Sequence, residues 1–171
     1  MEQPSTSPER SPVSTPRPTP APRGSAAIDG WAHVWFTAQP HRWSTLVIVP
    51  ATPRFRVSRL AEALATAGRT YGEPDIMLID ATDARPEAIA EIVATGAQRA
   101  AARRKTVIAV RSPYADPGAI AIARAADVTL LAVPLGATKI AQARGTIELI
   151  GREHFLGAVT VDRNGHPRTE S

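Results

Sequence analysis

The chain has 171 residues, 43% of them hydrophobic, with 20 Lys+Arg against 16 Asp+Glu and a net charge of +4. That apolar content can build one packed domain, and so small a charge excess does not by itself mark a nucleic-acid binder. The absence of cysteine excludes disulfides, thiolate zinc sites and cysteine nucleophiles. The longest apolar run, near VTLLAVPLGA, is far short of the roughly 20 residues needed to cross a bilayer. MEQPSTSPER lacks the basic start and apolar stretch of an export signal. A cytoplasmic protein without direct membrane insertion is therefore expected.

Residues 1–24 hold seven prolines among Ser, Thr and Arg, a composition that predicts a disordered or polyproline arm. GSAAIDGWAHVWFTAQPHRW follows, apolar and aromatic, with a period that does not decide between helix and strand. Then come five short apolar runs: TLVIVP (45–50), DIMLID (75–80), TVIAVR (106–111), VTLLAV (128–133) and GAVTVD (157–162). Near-continuous apolar runs of this length predict strands covered on both faces.

Helical patterns separate them. Val57, Leu60, Ala61 and Leu64 are spaced for one helix face, with Gly68 as its expected stop. Asp83 is expected to cap a second helix, with Pro86 in its first turn, Ile89, Ile92 and Val93 facing inward, and an end near Arg104. Asp116 and Pro117 open a third. Ile140, Ala143, Ile147 and Ile150 stripe a fourth, closed by Gly151. Alternating strand and helix predict an α/β fold: a three-layer parallel sheet with helices on both faces. The expected organisation is an arm over 1–24, a domain over 25–163 and a flexible tail over 164–171.

Ligands of open parallel sheets bind beyond the strands' carboxyl ends, which directs attention to the loops after residues 50, 80, 111 and 133. A phosphate-binding loop needs glycines so that its amides can converge on the anion. Here Arg54 and Arg56 fill that space and Val57 stands where a lysine would be useful. Left-handed geometry would cost these residues roughly 1–2 kcal/mol each, so a relaxed loop is expected. Ser58 is read as a cap or first-turn residue of the helix. Arg54, Arg56 and Arg59, with the helix dipole, could attract an anion or simply be solvated. Asp80 and Asp83 are the best-placed carboxylates. Val110 and Arg111 end the third run without an acid, so no metal site is expected there. Arg99, Arg103, Arg104 and Lys105 read as helix termination ahead of a nucleic-acid groove, which stays the weaker alternative for them. The four histidines are scattered, and neither HExxH nor GxSxG occurs.

In order and motif, residues 43–162 resemble the cytoplasmic domain of bacterial tyrosine kinases, the autokinases paired with chain-length regulators of capsule and exopolysaccharide export. These lie in the MinD/ParA-like deviant-Walker P-loop superfamily. PATPRFRVSRLAEALA takes the place of that family's SAxPGEGKSTxAxNLA. Arg54 and Arg56 replace the loop glycines, Val57 the lysine and Arg59 the threonine, while Ser58 is kept. IDATDARP (79–86) resembles the family's second acidic motif, with Asp80 kept and Thr82 in place of the second aspartate. VIAVRSP (107–113) resembles its Walker B strand, with Val110 in place of the aspartate. Gly136, Thr138 and Lys139 resemble its GxTK-like turn, and Leu156, Gly157 and Val159 its closing strand. The family's ExxRxxR helix would fall near Ser25, Ile28 and Trp31, without its charges, and the tyrosine-rich tail is missing.

The resemblance implies strand order 2-3-1-4-5 and a P-loop NTPase-like domain without catalytic residues, bound cofactor or metal. It implies an inactive adaptor or regulator in exopolysaccharide synthesis or export. The expected partner is a membrane chain-length regulator or an active kinase of the family, which would recruit the protein to the inner face of the cell membrane. A residual nucleotide sensor or ATPase using ATP and Mg²⁺ is the alternative, and a partition-type nucleic-acid binder a weaker one.

Overall fold

Along the first strand, β1 (Thr45–Pro50), side chains alternate between two apolar layers. Leu46 and Ile48 join one buried cluster, Val47 and Val49 the other, and all four are fully buried. Removing each from water is worth about 1.5–3 kcal/mol, which fixes β1 at the sheet centre. The structure, a computed structural model, describes residues 23–168, with side chains from Gly30 onward. The proline-rich arm expected over 1–24 lies outside the described residues except for Arg23 and Gly24, which open a helix.

The other strands are β2 (Met77–Asp80), β3 (Thr106–Ala109), β4 (Val128–Pro134) and β5 (Phe155–Val161). All pair in parallel, in the order β2-β3-β1-β4-β5. This is the predicted α/β architecture and strand order. Helices α1 (Arg23–Ala38) and α2 (Ser58–Thr70) cover one face. Helices α3 (Ile89–Ala101), α4 (Gly118–Ala125) and α5 (Ile140–Ile150) cover the other. Burial on both faces holds for the central strands β1 and β3 and most of β4. It fails at the edges: Met77 and Asp80 of β2, and Gly157 and Ala158 of β5, are exposed, because an edge strand has a neighbour on one side only.

The segment whose period was ambiguous is α1. Trp31 and Trp35 point inward from it one turn apart, as helical spacing allows. Trp35 meets Trp43 edge to face at 5.5 Å. The Trp43 indole N–H donates to the Ala38 carbonyl at 3.1 Å, and Lys105 Nζ sits 4.3 Å from the Trp43 ring centre while donating to the Trp43 carbonyl. Arg99 and Arg104 both reach the Asp75 carboxylate at 3.1 Å. Three members of the basic cluster at the end of α3 are thus occupied by the fold.

Four local expectations need correction. Gly68 does not stop α2, which runs on to Thr70; it is buried, and a Cβ there would collide with Ile76 and lie 2.8 Å from the Trp35 ring. Asp83 does not cap α3, which starts at Ile89 after a 3-10 turn over Pro86–Ala88. Ile140 is 83% exposed, and Thr146 with Ile150 supplies the buried residues of α5. Residues 164–168, assigned to a flexible tail, fold back on β5: the Arg168 amide donates to the Thr160 carbonyl at 2.9 Å, and Val161 bridges Pro167. The Trp31 indole N–H donates to the Gly165 carbonyl at 3.2 Å, tying this turn to α1.

Candidate functional site

The loops at the carboxyl ends of β1, β2 and β3 converge because sheet pairing continues into them. The Ala51 amide donates to Ala132 at 2.9 Å, the Ala81 amide to Ala109 at 2.8 Å and the Val110 amide to Ile48 at 3.2 Å. The first loop leaves β1 with Ala51 and Thr52 buried, turns through a 3.3 Å bond from the Phe55 amide to the Thr52 carbonyl, and enters α2 at Val57. Among the described residues, non-glycine positive φ occurs only at Arg42 and Arg103, so Arg54 and Arg56 carry no left-handed strain. The loop is relaxed, as expected of one without glycine.

Val57 is fully buried and packs in the cluster under α1 and α2. Its carbonyl accepts the Ala61 amide at 2.9 Å, the first turn of α2. Ser58 is a first-turn residue and makes no cap. Its hydroxyl lies 3.3 Å from that of Thr82. Thr82 in turn donates its hydroxyl at 2.7 Å and its amide at 3.0 Å to Asp80 Oδ1. Burial opposes ionisation of Asp80, but the bonds from Thr82 and Ser58, with the charge of Arg56, outweigh it and hold the carboxyl below its ordinary range.

Asp83 faces elsewhere: Arg56 Nη1 donates to its Oδ2 at 3.2 Å, with both side chains more than two-thirds exposed (69% and 68%). Such an exposed pair contributes about 0–1 kcal/mol. The two carboxylates therefore have different partners, one hydroxyls and the other a guanidinium. Val110, at the end of β3, is 1% exposed and sits in the cluster under α3 and α4. No carboxylate stands at that position. Arg54 and Arg59 are exposed.

Among the described residues no three His, Asp or Glu side chains group so as to hold a metal ion, and no helix is long and apolar enough to cross a membrane. A groove of about 310 Å³ lies elsewhere, between α1 and β5, lined by His33, Thr37, His41 and Thr160. It contains no carboxylate and none of the loop residues, so the carboxyl-end loops remain the candidate site. Sequence reasoning missed two contributors. Thr82 enters the sequence reading only where the resemblance sets it against an aspartate, although a threonine two residues after an aspartate can close an Asx turn on it. Arg163, which comes up beside Arg56 and Arg59, gave no sequence signal.

No protein-family model matches the chain, and no curated protein matches it. Among solved structures it is similar to one described as the BceF tyrosine kinase domain, with a TM-score of 0.61 and 13% identity over 79% of this chain and 76% of that one. At that identity the likeness is one of fold. The chain has the α/β architecture of a bacterial tyrosine kinase domain.

Proposed function

We propose that this chain is a catalytically inactive relative of the bacterial tyrosine kinases that works by binding partners, as an adaptor or regulator of exopolysaccharide or capsule synthesis or export. Its partner would be the cytoplasmic end of a membrane chain-length regulator or an active kinase of that family. One observation supports this reading: the two residues that the sequence resemblance sets against the family's phosphate-loop lysine and metal-linked aspartate are apolar and buried. Val57 is fully buried at the start of α2 and Val110 is 1% exposed at the end of β3. Phosphoryl transfer depends on positioned charge around the phosphates and Mg²⁺, and neither side chain can supply it.

The test is a titration of the full chain with ATP and Mg²⁺, together with an autophosphorylation assay. No saturable binding in the micromolar range and no turnover are expected; either one, if seen, overturns the adaptor reading. A second reading, a nucleotide sensor, is favoured by the ordered Ser58–Thr82–Asp80 network, which keeps an ionised carboxylate at the end of β2. The same titration decides between them. Nucleic-acid binding through the end of α3 has less support, since Arg99, Arg104 and Lys105 are engaged within the fold.

A further inference from the structure

Between the start of α2 and the turn after β5 lies a hollow of about 200 Å³ whose lining includes Phe55, Arg56, Arg59, Leu60, Arg163 and Asn164. No acidic side chain lines it. Arg59 and Arg163 make no ion pair among the described residues, and Arg56 meets Asp83 through Nη1 alone. The third arginine arrives on a pinned backbone. Asp162 Oδ1 accepts the amides of Asn164 and His166 at 2.8 and 2.9 Å. The Gly165 carbonyl takes the Trp31 indole N–H, and a Cβ on Gly165 would lie 2.9 Å from Leu60. Tertiary contacts thus gather three like charges from distant parts of the chain around one small hollow. All three arginines are exposed, and an anion held among them would relieve what repulsion solvent and the Arg56–Asp83 pair leave unscreened.

We propose that this hollow binds a single phosphate group, that of a small phosphate monoester or inorganic phosphate itself, between the guanidinium groups of Arg56, Arg59 and Arg163. Guanidinium presents five N–H donors in a planar fork that matches phosphate oxygens, and a dianion answers three cations better than a carboxylate does. Phe55 and Leu60 give the hollow an apolar side against which a short ester can rest. The volume suits one phosphate and is below the roughly 300–1,000 Å³ of sites for larger ligands, so a nucleotide is not the expected occupant. This goes beyond the adaptor reading, because a chain that does not turn over ATP can have or lack such a site.

The test is an NMR titration of the full chain, at constant ionic strength, with inorganic phosphate, glycerol 3-phosphate and ATP in parallel. Saturable shifts are expected at the amides of residues 55–60 and 163–165, with Kd on the order of 1 mM for phosphate. Glycerol 3-phosphate binding more tightly than phosphate would assign the site to an ester, and the reverse order to the free ion. The double variant R59Q/R163Q should weaken binding about tenfold or more. R163Q alone, at an exposed turn position, should weaken it about threefold or more and serves if the double variant melts early. Absence of saturable shifts, or unchanged affinity in these variants, overturns the proposal. So does ATP binding more than about tenfold tighter than phosphate, which would make the site one for nucleotide.

Discussion

Val57 and Val110 stand where a charge would be most costly to insert. Val110 is packed among Val49, Ile108 and Ala119 in the cluster under α3 and α4. Val110→Asp, which would place an acid at the end of β3, must bury an unpaired carboxylate, and a loss of about 3–5 kcal/mol is expected in urea unfolding at pH 7. The loss should be smaller near pH 4, where the buried acid takes up a proton; an equally large loss at both values would point to a steric cause. Asp80 works in the opposite direction. Its pKa is lowered in the folded chain, so its stabilisation is fully present above the unfolded carboxylate pKa and disappears as pH falls through the lower folded value. Asp80→Asn should cost on the order of 1 kcal/mol or less at pH 6, given the residue's exposure. The variant should also show a shallower fall in melting temperature between pH 5 and pH 2 than the parent, which thermal melts across that range would measure.

At the scale of elements, α1 against α2 is the contact that the sequence foretold least. Gly68 illustrates the reason. In isolation it reads as a helix stop, since glycine costs about 1 kcal/mol relative to alanine inside a helix. Within the fold it is the gap into which the Trp35 ring and the Ile76 side chain fit. Two effects of Gly68→Ala therefore oppose each other: a propensity gain of about 1 kcal/mol and overpacking against a fully buried tryptophan, costing about 1–3 kcal/mol. Because Trp35 is itself wedged edge to face against Trp43, it has little room to yield, and net destabilisation is expected. Calorimetry should show a lower melting temperature; a raised one would mean that α1 slides away without cost. The α2 face of Val57, Leu60, Ala61 and Leu64 was legible, since its helical period matches its burial. The stripe expected for α5 holds only in part, because Ile140, the first residue of the helix, is 83% exposed, while Ile150 at its end is buried.

At the scale of the whole molecule, residues near the two ends of the described chain close the layer under α1. The Trp31 indole bonds the Gly165 carbonyl, and Gly30 lies against Pro167. Deleting residues 162–171 should cost about 2–4 kcal/mol, by uncovering Leu60 and removing the Trp31 bond. Tryptophan emission should shift to the red as the Trp31 N–H becomes hydrated; an unshifted spectrum and unchanged melting would show the turn to be dispensable. By itself the sequence determined the five strands, the α/β alternation and the loops in which to look, because apolar periodicity is written locally and β1 and β3 can be buried only at a sheet's centre. It also determined that the loop after β1 carries no lysine at residue 57 and that β3 ends without an acid at residue 110, since both valines can be read directly. Only the tertiary structure decided that Ser58 meets the Thr82 hydroxyl that holds Asp80, that Asp83 pairs with Arg56, and that Arg163 joins Arg56 and Arg59. Apart from the local turn of Thr82 on Asp80, these pairings link residues far apart in the chain, and their geometry is set by sheet register and by a turn packed against α1 and α2, neither of which leaves a periodic trace in the sequence.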